Sequence, residues 1–374
     1  MAFPFFLGEL GRSFLKNDTL SIDIGFTNIK VVHARKKSGS GIKIMNFGIT
    51  STPANCIRNG VISNLEGIAA NLKKVVANSG INEKNVKIVI SAGSNIMSKV
   101  LHVKKDERKN IEELLKESIQ TQIPKNIHSY KLFYRVTGEV EILGENYHKI
   151  LVTIVPDTVI DAYVKLVRYL DFKPLAVEIP FSSVARFFSN GVTVVNENSE
   201  YNNLVDIDGG SVAVIDLGSE TSNISVLRNG ALEFNRIILI GGKNLDDRIS
   251  RKLEISKETA ERFKKSYRVN SSSVINDDTS ITVQECIEEH LTEILKSVKQ
   301  SLDFYASRCH GDMPCKIVFI GGGSGLSGLK QLTENIIGIP AYTLDMMHFG
   351  NIEFSNSLDK DKLRYLINAI GTAM

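Results

Sequence analysis

The sequence lacks the features that would assign it to several broad classes of protein. No stretch reaches the roughly 18 consecutive apolar residues of a membrane-spanning helix, and the first residues do not follow the usual order of a signal peptide. Charge of one sign is not in excess either: 45 basic and 42 acidic residues give a net charge of +3, too small to indicate a nucleic-acid partner. We therefore expect a cytoplasmic protein that binds no nucleic acid.

Cysteine is scarce, and its spacing carries no metal pattern. None of the four cysteines belongs to a C-x-x-C pair, although Cys309, His310 and Cys315 lie close together in the sequence. This predicts free thiols in a reducing cytosol, with a metal site at these three residues as the alternative.

The length and composition indicate an ordinary globular protein of two domains. At 374 residues the chain exceeds what one compact core usually holds, and 43% apolar with 23% charged residues is typical of a soluble fold. Strand-like apolar runs alternate with helix-like periodic segments, which predicts an α/β protein.

Two hairpins with an acid before the turn are the main functional signal. Leu20 to Val32 reads LSIDIGFTNIKVV, and Val212 to Val226 reads VAVIDLGSETSNISV, so Asp23 and Asp216 each end a buried strand in an Asp-x-Gly turn. Glycine in the turn lets backbone N–H groups approach an oxyanion, and an acid beside such donors suits a metal-bound phosphate. The alternative is two ordinary hairpins with polar turns.

Side chains near these turns add possible phosphate donors. The hydroxyls of Thr27, Thr221 and Ser222 lie in or just after the turns. Lys30 follows Asp23 on the outgoing strand and could reach back toward a phosphate as a point charge. An exposed strand lysine is the alternative interpretation.

Glycine clusters mark two further turns. Gly241-Gly242 precedes a helix predicted at Leu245 to Leu253, where we expect bare N–H groups to face an anion. Gly321-Gly322-Gly323 follows a strand predicted at Lys316 to Ile320 and leads into a helix, a geometry typical of nucleotide binding. It is neither a Walker A loop nor an N-terminal Rossmann fingerprint.

Ser94 to Pro174 is predicted to be an insertion with its own small fold. It contains no Ser/His/Asp or Cys/His cluster, which favours binding over chemistry. Its predicted βαββα elements are a strand around Ile96 to Val103, a helix Lys105 to Gln122, strands Tyr130 to Gly138 and Lys149 to Val155, and a helix Thr158 to Leu170.

The first residues are predicted to form a short amphipathic helix. Met1 to Lys16 places apolar residues at spacings of three and four. This helix would pack on its own domain or on a partner, or lie on a membrane surface.

The order of the motifs resembles a known superfamily. Asp23-x-Gly25 with Lys30, Asp216-x-Gly218 with Thr221, Gly241-Gly242 and Gly321-Gly322-Gly323 resemble the phosphate 1, phosphate 2 and adenosine motifs of actin, DnaK-type chaperones and sugar kinases. Within it, the insertion and the stretches Val177 to Arg186 and Phe234 to Lys264 most resemble the PilM family of type IV pilus assembly proteins, relatives of the division protein FtsA. The resemblance covers nearly everything from Leu20 onward.

The resemblance implies a fold and its domain limits. The fold would be an actin-like, ribonuclease H-like α/β fold of two lobes with a small inserted βαββα subdomain. Lobe 1 would comprise residues 20–93 and 175–203, after an N-terminal amphipathic segment at 1–19, and the insertion would occupy 94–174. Lobe 2 would comprise residues 204–374, with 246–315 as its smaller subdomain and the C-terminal helix packing back toward lobe 1.

The resemblance also implies ATP and Mg²⁺ as ligands. Asp23 and Asp216 would hold the metal, mostly through water, while Glu261 and Lys264 would hold ribose and adenine; the alternative for this last pair is a solvated helix pair. The implied nucleotide-binding residues are Asp23, Gly25, Phe26, Thr27, Asn28, Lys30, Asp216, Gly218, Ser219, Thr221, Gly241, Gly242, Glu261, Lys264, Gly321, Gly322, Gly323 and Leu326.

Two departures from the family pattern bear on catalysis, and no catalytic residue is assigned. Glu220 stands where relatives often have glycine, which places a negative charge near the phosphates. Ile179 stands where many relatives have an acid before the proline, so a group that orients the attacking water is missing. We expect nucleotide binding with at most slow hydrolysis.

The implied role is an ATP-binding scaffold at the cytoplasmic face of the inner membrane, in a type IV pilus or type II secretion-like platform. The insertion would bind the cytoplasmic N-terminal tail of a PilN-like bitopic membrane protein. Other platform proteins, motor ATPases and self-association are further contacts that the resemblance allows. FtsA is the nearest alternative, although it usually continues into a linker and a membrane-binding helix, whereas this sequence ends three residues after Gly371. A sugar or acid kinase would need a catalytic carboxylate, for which we find no candidate.

Overall fold

The computed structural model describes residues 5–6, 18–37, 41–90, 93, 96–106, 108–120, 129–189, 192–195, 201–203, 210–266, 278–309, 311–355 and 360–374. Two large sheets with their helices form two halves of the molecule, and a smaller sheet is inserted into the first half. None of the described helices combines the length and the apolar character needed to cross a bilayer.

The first half begins with the predicted hairpin and helix. Helix α1 starts after Asn64, whose side chain accepts a hydrogen bond from Gly67 N, and it ends before Gly80, which has a φ of +64°. The elements are β1 (Phe5–Phe6), β2 (Asp18–Ile24), β3 (Asn28–Lys36), β4 (Ile42–Ser51), β5 (Ile57–Arg58), β6 (Val61–Ile62), α1 (Leu65–Asn78) and β7 (Asn85–Val89).

The insertion has the predicted βαββα order, and its strands form an antiparallel sheet in the order β8-β10-β9. Its hairpin turns at Leu143 and Gly144, both with positive φ, so the two strands are longer than predicted. The elements are β8 (Met97–Lys104), α2 (Ile111–Gln120), β9 (Tyr130–Ile142), β10 (Glu145–Pro156) and α3 (Asp157–Tyr169).

Helix α2 begins six residues later than predicted. Asn110 Oδ1 accepts from Glu113 N, and the Glu113 carboxylate accepts from Asn110 N, which is a reciprocal cap that starts the helix at Ile111. The expected start at Lys105 is therefore wrong, and the expected end at Gln122 lies outside the described residues.

Helix α3 packs on the first half, in a core that also includes Phe133, Leu151 and Val155 of the small sheet. Its buried residues, among them Tyr163 and Leu166, share one apolar core with Leu20 of β2 and Val31 of β3. The small sheet has its own core between α2 and the strands. The lobe and insertion boundaries drawn from the sequence stay a prediction, but α3 is part of the first core by packing.

After the insertion the chain returns to the first half. Two short strands that follow, Val192–Val195 and Tyr201–Asn203, belong to a separate three-stranded sheet. Tyr201–Asn203 is a short strand that pairs with Val192–Val195. The elements are β11 (Lys173–Glu178), α4 (Pro180–Phe188), β12 (Val192–Val195) and β13 (Tyr201–Asn203).

The second half contains the second predicted hairpin and a helix of 30 residues. A 3-10 turn at Gly322–Gly325 follows the predicted strand that ends at Ile320. The elements are β14 (Ser211–Leu217), β15 (Ser222–Arg228), β16 (Ala231–Ile238), α5 (Gly242–Leu253), α6 (Lys257–Ser266), α7 (Asp278–Ser307), β17 (Lys316–Ile320), α8 (Leu329–Ile337), β18 (Ala341–Thr343), β19 (Met347–Phe349), β20 (Ile352–Phe354) and α9 (Lys360–Ala373).

The strand order places both hairpins at the centre of the sheets. The first sheet runs β1-β11-β7-β2-β3-β4-β20, and the second runs β16-β15-β14-β17-β18. Strands β2 and β14 each pair in parallel with a neighbour, β7 and β17, so the acid of each hairpin ends an interior strand. Binding sites in such sheets lie at the carboxyl ends of the strands.

The expected N-terminal helix is wrong at the two residues that can be described. Phe5 and Phe6 form a strand that pairs antiparallel with Val177 and Ala176 of β11, the edge of the first sheet. The rest of Met1 to Lys16 lies outside the described residues. None of the four cysteines, all of which are described, forms a disulfide.

Helix α9 crosses α4 at unusually short range. A Cβ atom at Gly371 would lie 2.0 Å from the Ser183 carbonyl oxygen, and the hydroxyls of Ser183 and Thr372 are 2.6 Å apart. Glycine at this position therefore allows two helix backbones to approach each other, and α9 packs on the first half although it follows the second half in sequence.

Buried charges hold the carboxyl end of α9. Arg186 donates to the Gly371 carbonyl at 2.9 Å, and Lys87 donates to that of Thr372 at 3.1 Å. Glu178, 1% exposed, accepts from Arg186 at 3.0 Å. Burial lowers the pKa of Lys87 to about 8 and raises that of Glu178. The last carbonyls of the helix thus receive cationic donors inside the core.

The first prediction concerns the contact between α4 and α9. In a helix, alanine is more favourable than glycine by about 1 kcal/mol. Overpacking costs about 1–3 kcal/mol, and the carbon added at Gly371 would collide with backbone atoms. We expect Gly371→Ala to lower the free energy of unfolding in urea by up to about 2 kcal/mol, the difference between these two effects. Gly138→Ala on β9 is the control, because no heavy atom lies within 4 Å of its added carbon. Equal or greater stability of Gly371→Ala would contradict the close-approach argument.

A second prediction concerns acid stability. His290 of α7 is 1% exposed, and burial lowers its pKa to about 4. The pKa of a histidine in the unfolded chain is about 6.5, so between pH 6.5 and 4 the folded state binds fewer protons than the unfolded state. The free energy of unfolding therefore falls by about 1.4 kcal/mol for each pH unit below about 6.5.

We therefore expect His290→Leu to gain stability relative to wild type progressively between pH 7 and pH 4 in urea titrations. His102→Leu, at an exposed histidine of β8, is the matched control and should not change the pH profile. Parallel profiles for wild type and His290→Leu would refute this source of acid sensitivity.

Candidate functional site

A cleft of about 610 Å³ lies between the two halves. Its walls are the two hairpin turns, the start of α5, helix α6, the glycine turn after β17 and one face of α9. All of the residues implied for nucleotide binding line this cleft except Gly241. Their assignment to a nucleotide stays a prediction, but the fold brings them together.

The first acid is paired within its own hairpin. Asp23 Oδ2 lies 2.9 Å from Lys30 Nζ, and the two side chains are only 7% and 13% exposed. These residues face each other across β2 and β3 because they are register partners. The alternative of an exposed strand lysine is therefore wrong, and Lys30 lies at the cleft wall.

The second acid is held by the last helix. Asp216 Oδ2 accepts a hydrogen bond from Asn368 Nδ2 at 3.1 Å. Burial raises the pKa of Asp216, and nearby Asp23 adds to the rise, whereas Asn368 and Lys30 oppose it. The carboxyls of the two halves are thus close enough to influence each other.

Gly321 makes room for the second acid. Its φ is +81°, and a Cβ atom there would lie 2.3 Å from Asp216 Oδ1. Its N–H donates to the Arg364 carbonyl of α9 at 3.0 Å, so the glycine turn is also bonded to the last helix. Any side chain at Gly321 would displace the carboxylate.

The two hairpin turns have the same closure. Gly25 N donates to Asn28 O at 2.9 Å, and Gly218 N donates to Thr221 O at 3.0 Å. In the first turn, the Thr27 hydroxyl is buried and has no hydrogen-bond partner among the described residues. A buried polar group is normally satisfied, so this hydroxyl fits a phosphate oxygen as its missing acceptor.

The expected N–H groups at Gly241-Gly242 are not free, so that interpretation is wrong. Gly241 N donates to Asn244 Oδ1 at 2.9 Å, and Gly242 N donates to Gly218 O at 3.0 Å. Lys243 N donates to Ser219 O at 2.8 Å. The glycines instead let α5 approach the second hairpin, since a Cβ at Gly241 would lie 2.6 Å from the Ser219 carbonyl carbon.

The two departures from the family pattern have different consequences. Glu220 forms an ion pair with Lys243 at 2.5 Å, so its negative charge near the turn is compensated. Ile179 is 3% exposed and caps α4 without a side-chain hydrogen bond. Glu178 beside it is buried against Arg186 and cannot act at the cleft. The structure therefore places no carboxylate at the position of Ile179.

The pair Glu261 and Lys264 is not a simple solvated pair on one helix. Lys264 bonds to Asp246 of α5 at 2.7 Å and to the Gly242 carbonyl at 3.2 Å. Burial raises the pKa of Asp246, and Lys264 opposes the rise. Glu261 pairs with Lys265 at 2.7 Å. Both predicted residues line the cleft, with Lys264 fixed against α5.

Several cleft residues escaped the sequence analysis. Asp246, Tyr365 and Asn368 all line the cleft, and the last two come from α9. Asp246 lay inside a predicted helix without a motif around it. Asn368 directly precedes the small residues noted in the last helix, but nothing local indicates that it meets Asp216.

The arrangement fits a metal-bound phosphate. Two carboxylates from opposite halves can hold a hydrated divalent cation, for which oxygen ligands and retained waters are typical of Mg²⁺. Lys30 and the unpartnered Thr27 hydroxyl can face phosphate oxygens. Bound there, the cation would neutralise phosphate charge and orient the chain of phosphates.

Comparison with known proteins identifies the family. The model of the type IV pilus assembly protein PilM family matches residues 21–374 of this chain. The chain belongs to the PilM family. The predicted family is therefore confirmed.

Two curated relatives are bacterial division proteins. The chain is 22% identical over 359 residues to the cell division protein FtsA of Streptococcus pneumoniae serotype 2 (strain D39 / NCTC 7466), covering 85% of this chain and 73% of that protein. It is 33% identical over 142 residues to FtsA of Bacillus subtilis (strain 168), covering 34% of this chain and 32% of that protein.

Solved structures confirm the fold. The PilM-PilN type IV pilus biogenesis complex aligns with a TM-score of 0.76 at 17% identity, covering 95% of this chain and 97% of that one. The ethanolamine utilization protein EutJ of Carboxydothermus hydrogenoformans aligns with a TM-score of 0.55 at 13% identity, covering 98% and 94%. This PilM-family chain therefore has the predicted actin-like α/β fold.

Proposed function

We propose that this PilM-family protein binds Mg-ATP between its two halves and acts as a cytoplasmic scaffold of a pilus assembly platform at the inner membrane. One observation carries the nucleotide part: Asp23 and Asp216 face one cleft from opposite halves, beside Lys30 and an unpartnered Thr27 hydroxyl. The first acid supplies charge from lobe 1 and the second from lobe 2, so a ligand that contacts both would bridge the halves.

Hydrolysis in this site is proposed to be slow. General-base catalysis requires a side chain within hydrogen-bond reach of the attacking water. Asp23 is paired with Lys30, Asp216 is held by Asn368, and Ile179 offers no carboxylate. The site thus suits binding and positioning of a nucleotide better than its turnover.

The partner is proposed to be the cytoplasmic N-terminal tail of a PilN-like bitopic membrane protein. Support comes from the family and from the likeness of the fold to the PilM chain of a PilM-PilN complex. The inserted sheet has two outer strands, β8 and β9, each paired on one side only among the described residues. Val136 on β9 is 41% exposed and Met97 on β8 is 39% exposed. An extended peptide can add to such an edge through backbone hydrogen bonds.

Association with the membrane would then occur through the partner. Other platform proteins, motor ATPases and a second copy of this chain remain further candidates for contact. An FtsA-like division role is the second candidate function, favoured by the FtsA matches, which are weaker than the match over residues 21–374 to the PilM family.

The nucleotide proposal is tested by removing either acid. We expect Asp23→Ala and Asp216→Ala each to weaken Mg-ATP binding, measured by calorimetry, by more than about tenfold, which corresponds to about 1.4 kcal/mol. Asp18→Ala is the matched control, because Asp18 lies on the same strand but pairs with Arg35 outside the cleft. Wild-type affinity in both cleft variants would refute the site.

The partner proposal is tested by a deletion designed from the strand register. Removal of Ser94 to Pro174 would take out α3, whose residues belong to the first core. Met97 and Ile154 are instead direct neighbours on β8 and β10. Residues 98–153 can therefore be replaced by a two-residue Asn-Gly turn without separating the chain ends.

We expect this deletion to abolish membrane association in cells that carry the PilN-like protein, while Mg-ATP affinity stays within a few-fold and so reports a folded core. Val136→Asp is a milder variant that should weaken binding of the partner's tail, with exposed Leu143→Asp as its control. Removal of Met1 to Lys16 should reduce membrane association, measured by cell fractionation, less than this deletion does. The reverse order of the two deletions would refute the insertion as the membrane-directed contact.

A further inference from the structure

Asn368 forms a hydrogen bond between the two halves of the molecule. It lies on α9, whose apolar residues Leu366, Ile367, Ala369 and Ile370 are part of the first core. Its Nδ2 donates to Asp216, which ends β14 in the second half. The residue therefore links the first half, on which α9 packs, to Asp216 of the second half.

The orientation of the Asn368 amide follows from its partner. An ionised carboxylate accepts hydrogen bonds and donates none, so the NH₂ group must face Asp216 and the amide oxygen must face away from it. That oxygen, Oδ1, is buried and has no hydrogen-bond partner among the described residues. Buried acceptors of this kind are rare, and each one calls for a donor.

The position of this oxygen is set by a rigid surrounding. Arg364, one turn earlier on the same face of α9, accepts from Gly321 N at 3.0 Å through its carbonyl. Gly321 in turn lies against Asp216 Oδ1. Asn368 thus holds Asp216 Oδ2 by a hydrogen bond, while Gly321 leaves space for Oδ1, and Asp23 and Asn368 line the cleft beside them.

We propose that Asn368 is a third member of the divalent-cation site: its NH₂ group positions the Asp216 carboxylate, and its Oδ1 accepts a hydrogen bond from a cation-bound water. This rests on the proposed binding of Mg-ATP in the cleft. A water bound to Mg²⁺ is a strong donor, and Mg²⁺ usually retains several such waters when carboxylates hold it. The amide oxygen adds an acceptor beside the Asp216 carboxylate, to which Asn368 is bonded through its NH₂ group.

The competing explanation is that Asn368 only links the halves. The two roles differ in their dependence on the cation. A simple link would affect nucleotide binding equally with and without Mg²⁺, whereas a cation-site residue would affect the gain in affinity that Mg²⁺ provides. The ratio of ATP affinity in Mg²⁺ to that in EDTA therefore separates them.

The experiment is calorimetry of ATP binding to the full chain in Mg²⁺ and in EDTA. We expect Asn368→Leu to lose at least fivefold of the Mg²⁺-dependent gain, with affinity in EDTA within twofold of wild type. Asn368→Asp keeps an acceptor oxygen but loses the donor, so it should retain more of the Mg²⁺ gain than Asn368→Leu. Asn335→Leu, at an exposed asparagine of α8, is the matched control and should behave as wild type.

A second readout is direct binding of Mn²⁺ to the ATP complex, followed by the paramagnetic signal of the free ion. Weaker Mn²⁺ retention in Asn368→Leu supports the proposal. Equal losses of ATP affinity in Mg²⁺ and EDTA, or identical behaviour of the Leu and Asp variants, would overturn it. A wild-type chain that binds no ATP would refute the proposed function and this inference together, whereas ATP binding with an unchanged Mg²⁺ gain in Asn368→Leu refutes this inference alone.

Discussion

Helix α9 is held on the first half by a contact that only glycine permits and by two cationic side chains at its carboxyl end. Gly371 brings the backbone of α9 against Ser183 of α4, and Arg186 and Lys87 donate to the last carbonyls. Because this end of the helix is fixed, its other residues reach the cleft at defined positions. Asn368 meets Asp216, and the Arg364 carbonyl receives the Gly321 N–H. The second half is therefore hydrogen-bonded to α9, beside the two hairpin acids.

The cleft combines two similar hairpins with different supports. The first acid is neutralised within its own hairpin by Lys30, whereas the second is held by Asn368 from the last helix. Glycine has different tasks at the two turns of the second half. Gly321 leaves space for the Asp216 carboxylate, and Gly241 lets α5 dock on the turn after β14. The result is a cleft in which each hairpin acid is held by a neighbouring side chain.

The inserted sheet has an apolar core of its own and is also joined to the first half. Its chain enters and leaves on neighbouring strands, since Met97 pairs with Ile154. Its apolar core lies between α2 and the strands, while α3, the next element in sequence, packs into the first half. Phe133 and Leu151 also join the sheet to the first core, so its attachment is not limited to this strand pair.

The sequence alone determined the features that depend on neighbouring residues. Buried strands that end in Asp-x-Gly, the capped helix after Asn64, the glycine turn after Ile320 and the βαββα order of the insertion all follow from local periodicity and turn chemistry. The family could also be predicted from the order and spacing of these motifs, which can be read directly from the sequence.

Only the tertiary structure decided how distant segments share their polar groups. The N–H groups of Gly241 and Gly242 were expected to be free, but they bond to Asn244 and to the second hairpin. Phe5–Phe6 became a strand because the edge of β11 offered it partners. Asn368 meets Asp216 across 152 residues, which no periodicity records. Hydrogen-bond partners between remote segments depend on the packing of the whole chain, and local sequence carries no trace of that packing.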